Sequence, residues 1–188
     1  MSELLIDIFG KPHGIIIFQL LAATRFTIYL SLVAFGGGGV VASMITFLAI
    51  FPQPLLKKIA QTYIWFFQSI PLLMLLFLTG LGVPRLIGVD VNPWTAATIS
   101  LVLFTSAYLA EVWRGAIAAV LPGQWEAGFA LNISFVSTLK KVILPQAIRY
   151  GLAPTVGFMV QIIKGTSLAY IIGSVSYTHL TLPTKRIV

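Results

Sequence analysis

The sequence predicts an all-α integral membrane protein, a polytopic helical bundle with about four spans. Composition is the first observation: 58% of the 188 residues are hydrophobic, only 9% are charged, and the mean hydropathy is +0.98. A soluble domain carries about 25% charged residues. The second observation is a set of charge-free windows at residues 26–56, 59–84 and 91–110. Each window can supply the roughly 20 helical residues that cross a hydrocarbon core.

The windows place three spans, and a fourth follows a longer polar loop. We expect the spans near residues 27–50, 60–82, 94–113 and 148–165. The fourth has Arg149 and Lys164 near its ends, where long basic side chains can reach the lipid headgroups. The loop at 114–147 joins the third and fourth spans, and the transmembrane domain is predicted to cover residues 1–175.

Basic residues near the span ends predict the orientation. One side of the predicted bundle carries Lys57, Lys58, Arg114, Lys140, Lys141 and Arg149, and the other carries Lys11, Arg25, Arg85 and Lys164. The richer side is expected in the cytoplasm. This assignment places the 114–147 loop in the cytoplasm and the N-terminus outside.

Residues 176–188 differ from the chain that precedes them. They are rich in threonine, show no amphipathic period and end before another span can form. We expect a non-native or disordered tail, such as the product of a frameshift. A short native periplasmic tail is the alternative.

Four consecutive glycines at 36–39 lie inside the first predicted span. Small residues allow close packing against a neighbouring helix. Four glycines also weaken helix propensity, so a flexible point in the span is the other interpretation.

The sequence lacks the residue patterns of a catalytic or metal site. It has no cysteine, two histidines and five acids, which are Glu3, Asp7, Asp90, Glu111 and Glu126. No pair of these is spaced for metal binding or for acid–base catalysis, and no phosphate-binding loop pattern occurs. We therefore predict no catalytic residue, no metal and no cofactor in this chain.

The loop between the third and fourth spans contains a short predicted helix. Pro122-Gly123 predicts a turn, and the helix is expected to begin at Gln124, with Glu126 in its first turn near the positive end of the dipole. Small apolar residues follow at helical spacing. Asn132 suits the left-handed turn after a helix end, and Pro145 is expected to limit the helix upstream of it. Small side chains would let a groove of another protein approach the helix backbone.

This loop resembles the EAA loop of ABC importer permeases, EAA-x3-G-x9-I-x-LP. Gly128 stands at the third Ala of the pattern, Asn132 at the Gly and Val142 at the Ile. The resemblance to polar amino-acid uptake permeases of the histidine, glutamine and glutamate type extends over about residues 15–173, through the segments 108–115, 121–127, 142–149 and 164–168. Residues 67–73 match the pattern F-R-G-T-P-L-L, with Gln68 and Ser69 in place of Arg-Gly.

The resemblance implies a permease subunit of a bacterial inner-membrane importer that translocates a polar amino acid. ATP and Mg would be bound by a separate cytoplasmic ABC ATPase dimer, which contacts the loop helix within 122–135. The resemblance also implies a second permease subunit, identical or related, and a periplasmic or lipid-anchored amino-acid-binding protein. Such permeases have at least five core spans, so we expect this chain to be truncated. The implied ATPase-coupling residues are Glu126, Ala127, Gly128, Ala130, Leu131, Asn132, Leu144 and Pro145.

Polar groups inside the spans are candidates for the substrate pathway, because each is costly in lipid without a partner or a wet cavity. The polar candidates are Gln68, Ser69, Thr105, Ser106, Gln161, Thr166 and Ser167, and Pro71 is a candidate because a proline can free backbone groups to face a pathway. Interhelical hydrogen bonding is the alternative role for each of them. Glu111 has Arg114 one helical turn later, which predicts a local ion pair.

Two other functional classes compete with the importer. A secondary transporter or channel would need no ATPase, but the spans lack the ionisable pairs typical of ion coupling. A non-transporting membrane anchor or assembly protein is the third class. Recovery of an ATPase with the solubilised chain would distinguish the importer from both.

Overall fold

A computed structural model describes residues 11–89 and 91–181, with side chains described at position 21 and over 24–89 and 91–169. The described residues form helices and no strand, which confirms the predicted all-α class. The helices are α1 (Lys11–Ile50), α2 (Pro54–Ser69), α3 (Leu72–Ile87), α4 (Pro93–Ala118), α5 (Pro122–Ala130), α6 (Phe135–Thr138) and α7 (Leu144–Thr181). A π-helical turn at Leu78–Gly82 lies within α3, and a second at Leu139–Ile143 joins α6 to α7.

Two of the described helices are long and apolar enough to cross a membrane, namely Thr24–Ile50 of α1 and Pro93–Ala118, which is α4. They contain the segments expected at 27–50 and 94–113. Many of their large apolar side chains are exposed, which means that no other part of the described chain covers them; Tyr29 and Met44 are two examples. Such faces suit contact with lipid or with another membrane helix.

The segment expected to form one span near 60–82 is two helices with a sharp bend between them. The axes of α2 and α3 differ by 96°, and together they form one broken span or a re-entrant pair. Pro71 explains the break, because its ring disfavours helical dihedrals at the preceding residue. Ile70 is accordingly extended, with φ −95° and ψ 121°.

The span expected at 148–165 lies within α7, a helix of 38 residues with Pro154 inside it. The described part of α7 is not among the helices apolar enough to cross a membrane on its own. Residues 176–181 of the predicted tail continue this helix, and residues 182–188 lie outside the described residues.

Helix α4 is the centre of the bundle and packs against α1, α2, α3 and α7. Its fully buried residues include Leu101, Ala107 and Leu109. Alanines of α1, Ala34 and Ala42, are buried with them in one hydrophobic core. Helix α1 therefore approaches α4 through small residues.

The glycine run lies at this helix contact. A Cβ added to Gly38 would stand 2.6 Å from Thr105 Cγ2 and 3.3 Å from the Ser106 backbone nitrogen. No real Cβ atom tolerates the first of these distances. The structure therefore favours close packing as the role of the run, since a flexible point would not require a glycine at this contact.

Substitution of Gly38 by alanine is expected to lower the free energy of unfolding in detergent by about 1–3 kcal/mol, because α1 must move away from α4. Gly36→Ala is the matched control on the same helix, where a Cβ meets nothing within 4 Å. The control is expected to be neutral or slightly stabilising, because alanine is the better helix former. Equal unfolding midpoints for the two variants would contradict the packing role.

Candidate coupling surface and transport groove

Helix α5 begins two residues earlier than the sequence predicts. Pro122 and Gly123 are helical, and the extended residue before them is Leu121, with ψ 131°. A proline fits the first helical turn because its missing N–H has no partner there in any helix. The prediction of an acid in the first turn is therefore wrong: that turn has none, and Glu126 lies in the second.

The end of α5 has the hydrogen bonds of a Schellman motif. Asn132 adopts φ 52°, the single positive φ among the described non-glycine residues. Its N–H donates to the Phe129 carbonyl at 2.9 Å, and the Ile133 N–H donates to the Gly128 carbonyl at 3.0 Å. This pattern satisfies carbonyls that a helix end leaves unpaired. The predicted left-handed turn at Asn132 is confirmed.

One face of α5 and the turn after it are open to solvent. The exposed residues are Glu126, Ala127, Phe129, Ala130, Leu131 and Asn132. Two of them have large apolar side chains: Phe129 is 57% exposed and Leu131 is 72% exposed. Glu126 forms no ion pair with any of the described residues. We call these six residues the coupling surface; it combines one free carboxylate with apolar area that nothing in the described chain covers.

Gly128 lies on the opposite, buried side of α5, against α6. A Cβ at this position would stand 2.6 Å from Thr138 Cγ2 and 2.7 Å from Thr138 Oγ1. Thr138 is fully buried, and its hydroxyl has no hydrogen-bond partner among the described residues. The sequence alone presents Gly128 as a small residue that weakens the helix. The structure shows that it makes room for Thr138.

Aromatic and amide contacts attach the rest of α5 to the bundle. The Trp125 ring stacks on Phe135 at 5.4 Å between centroids, and Phe135 meets Phe51, just past α1, edge-on at 5.9 Å. Gln146 of α7 donates from Nε2 to Oε1 of Gln124 at 3.3 Å. Sequence reasoning missed these contacts, because they join residues that periodicity does not relate.

A small hydrophobic cluster lies beneath α5 and fixes the start of α7. Its buried members are Ile117, Val120, Leu139, Ile143 and Ala147, with Leu144 and Trp125 packed against them. Pro145 is exposed and does not end the helix upstream, contrary to expectation, because Leu144 keeps helical dihedrals (φ −56°, ψ −45°). The π-helical turn before it changes the hydrogen-bond register, so the helix continues although proline has no N–H to donate.

A second feature is an open groove of about 340 Å³ between α2, α4 and α7. Gln68, Tyr108, Glu111, Tyr150 and Pro154 line it. Gln68 also donates from Nε2 to the Ala107 carbonyl at 3.4 Å. Of the predicted pathway residues, Gln68 is the one that lines this groove.

The other predicted pathway residues are dispersed. The Ser106 hydroxyl pairs with the Tyr63 hydroxyl at 2.7 Å, and Thr105 is buried against Gly38. Interhelical or intrahelical bonding accounts for most of the rest: the hydroxyls of Ser69, Thr166 and Ser167 each donate to a carbonyl of their own helix. Pro71 and Gln161 are exposed.

The predicted ion pair of Glu111 and Arg114 is present within α4. Arg114 donates from Nε to Glu111 Oε2 at 2.8 Å and from a terminal nitrogen to Oε1. This forked geometry is the strong form of a carboxylate–guanidinium contact. Since the carboxylate also lines the groove, its charge there is balanced by Arg114.

An all-helical bundle with apolar spans and an exposed connecting helix has the architecture of a polytopic membrane protein. Residues 38–184 match the model of the family described as "Binding-protein-dependent transport system inner membrane component". The chain therefore belongs to this family of inner-membrane proteins.

Among the curated relatives is the probable amino-acid ABC transporter permease protein YckA of Bacillus subtilis, 37% identical over 78% of this chain and 65% of its own length. The probable amino-acid ABC transporter permease PatM of Vibrio harveyi is 37% identical over 66% of this chain and 56% of its length. The glutamine transport system permease GlnP of Escherichia coli K12 is 29% identical over 85% of this chain and 74% of its own length. The chain thus spans less than two thirds of the length of YckA and PatM.

Two solved structures share the fold. An amino acid ABC transporter crystallised with histidines superposes with a TM-score of 0.76, at 28% identity, over 85% of this chain and 75% of its own. An inward-facing MetNI methionine ABC transporter superposes with a TM-score of 0.71, at 17% identity, over 87% of this chain and 81% of its own. The second likeness shows the fold alone.

Proposed function

We propose that this chain is a membrane-spanning permease subunit of an ATP-binding-cassette importer that moves a polar amino acid across the inner membrane. The observation that carries the proposal is the coupling surface: an exposed acidic and apolar helix face, held from behind by packed residues. The family and the names of YckA, PatM and GlnP support the amino-acid class of substrate.

In this proposal, the coupling surface contacts a separate cytoplasmic ABC ATPase, which binds ATP and Mg. A second permease subunit and an amino-acid-binding protein complete the transporter. The loop at 114–147 is cytoplasmic and the N-terminus lies outside, in keeping with the positive-inside pattern. The transmembrane domain covers residues 1–175.

The contacts of α5 explain how a movement at the coupling surface would reach the spans. Phe135 and Phe51 link it to α1, Gln146 links it to α7, and the cluster beneath it includes Ile117 of α4. A displacement of α5 would therefore shift three long helices together. Two of these helices, α4 and α7, line the groove opposite α2, so its width would change as the bundle alternates between two states.

A crosslinking experiment tests the proposal. Because the sequence contains no cysteine, Ala130→Cys creates a unique thiol on the coupling surface. In native membranes, a thiol-reactive photocrosslinker at this position is expected to capture an ABC ATPase. Leu86→Cys, on an 85% exposed residue of α3, is the matched control and is expected to capture none. Capture at neither position, or equally at both, would contradict the proposal.

A further inference from the structure

An apolar cavity of about 350 Å³ opens between α1, α4 and the start of α7. Large side chains form its wall, namely Phe47, Ile50, Trp113, Ile117, Leu144 and Ile148. Its outer residues are well exposed, 41% at Phe47 and 62% at Ile148. The cavity therefore communicates with the outside of the bundle.

The polar groups of the cavity wall are already used by the protein. The Ser43 hydroxyl donates to the Val40 carbonyl at 2.7 Å, and the Thr46 hydroxyl donates to the Ala110 carbonyl at 3.3 Å. The Trp113 indole N–H donates to Thr155 Oγ1 at 3.1 Å. The donor protons of these three groups are therefore used within the protein, and the other side chains of the wall are apolar. The cavity is thus suited to a hydrocarbon ligand.

The cavity lies at one end of the membrane-crossing helices. Its α1 residues belong to the last two turns of the candidate span Thr24–Ile50, and its α4 residues to the last two turns of Pro93–Ala118. At this depth the edge of the hydrocarbon core meets the lipid headgroups. A bilayer lipid can place its acyl chain in the cavity and its headgroup at the end of the bundle.

Three exposed basic residues directly follow residues of the cavity wall in the sequence. Lys140 and Lys141 directly follow the wall residue Leu139, and Arg149 directly follows Ile148; all three are exposed. Between residues 115 and 169 the sequence contains one acid, Glu126, which lies on the coupling surface. Basic pockets beside transmembrane helices on the cytoplasmic side attract anionic headgroups.

We infer that the cavity is a binding site for an anionic phospholipid, with an acyl chain against Phe47 and Trp113 and the phosphate held by Lys140, Lys141 and Arg149. This inference does not require transport, but it rests on the cytoplasmic placement of the 114–147 loop in the proposed function. A site of this kind would fill the gap between the two long spans and the segment that carries the coupling surface.

Native mass spectrometry of the full chain tests the site, with phosphatidylglycerol and phosphatidylcholine of identical acyl chains supplied in equal amounts. The unchanged chain is expected to retain phosphatidylglycerol in preference by about tenfold, because basic residues near a membrane surface each favour anionic lipid. Neutralising Lys140→Gln and Lys141→Gln together is expected to remove the preference while lipid is still retained. Equal retention of both lipids by the unchanged chain would overturn the inference.

Ser43→Leu narrows the cavity from α1 and is expected to lower lipid retention several-fold. The Ser43 hydroxyl bonds only within its own helix, so the change breaks no contact between helices. Val40→Leu is the matched control, because Val40 is 62% exposed and lies outside the cavity wall. Equal retention by the two variants would overturn the inference. Retention of neither lipid by the unchanged chain would also overturn it.

Trp113 gives a second measurement that does not depend on lipid surviving purification. With Trp65, Trp94 and Trp125 replaced by phenylalanine, its fluorescence is expected to be quenched by phosphatidylglycerol with brominated acyl chains. Addition of Ser43→Leu to this background is expected to reduce the quenching. Quenching that Ser43→Leu leaves unchanged would place the acyl chain elsewhere and overturn the inference.

Discussion

Reversal of one charge, Glu126→Lys, is expected to abolish ATP-driven uptake while membrane insertion and helix content stay unchanged. The carboxylate is exposed and forms no ion pair with the described residues, so its loss leaves no internal contact broken. At an interface it would face a basic residue of the ATPase. A close interfacial charge pair contributes about 2 kcal/mol or more, so reversal is expected to lower uptake by at least about thirtyfold.

The measurement is uptake of a radiolabelled amino acid by proteoliposomes that contain the complete transporter. Gln53→Lys is the control, because it introduces the same lysine side chain at an exposed residue outside α5. The control is expected to retain uptake. Normal coupled uptake by the Glu126→Lys protein would show that the carboxylate has no part in docking.

Replacement of Gly128 by leucine is expected to displace α5 and abolish uptake. Replacement by alanine is expected to displace α5 less and to reduce uptake. Even the single Cβ of alanine would overlap Thr138 at 2.6 Å. Overpacking of this kind costs about 1–3 kcal/mol, which exceeds the roughly 1 kcal/mol that alanine gains over glycine in helix propensity. The Gly128→Ala protein is therefore expected to be more susceptible to proteolysis in the loop.

Two controls isolate the contact from a general effect on the helix. Gly123→Ala changes the same helix where a Cβ meets nothing within 4 Å, and is expected to be neutral. Thr138→Ala in combination with Gly128→Ala removes both of the closest atoms, and is expected to restore protection from proteolysis and uptake. The hydroxyl lost with Thr138 has no partner among the described residues, so its removal breaks no hydrogen bond. Failure of the double variant to recover would contradict the proposed fit.

Much of the fold is predictable from the sequence, because it follows from local chemistry. Charge-free windows indicate which segments can cross the hydrocarbon region, so the long apolar helix Pro93–Ala118 can be predicted from composition alone. Asn132 is predictable for a similar reason, since few residues other than glycine tolerate the left-handed turn after a helix. The Glu111–Arg114 pair depends only on helical spacing.

The remaining features depend on contacts or on competing local rules. The dipeptide Pro122-Gly123 is compatible both with a β-turn and with the first turn of a helix. In the folded chain it forms the first turn of α5. Pro71 breaks the expected span because its effect on Ile70 outweighs the apolar run around it. The fit of Gly128 to Thr138 joins two helices across a turn, and no periodicity of the sequence indicates it.

The side of the membrane on which the coupling surface lies is the most direct test of the account. Leu131→Cys, at a residue 72% exposed, and Val89→Cys, just beyond α3, each provide a unique thiol for a membrane-impermeant reagent. In spheroplasts the reagent is expected to label the Val89→Cys protein and not the Leu131→Cys protein. In inverted vesicles it is expected to label the Leu131→Cys protein and not the Val89→Cys protein. Labelling of position 131 in intact spheroplasts would place the coupling surface beyond the reach of any cytoplasmic ATPase and would contradict the account.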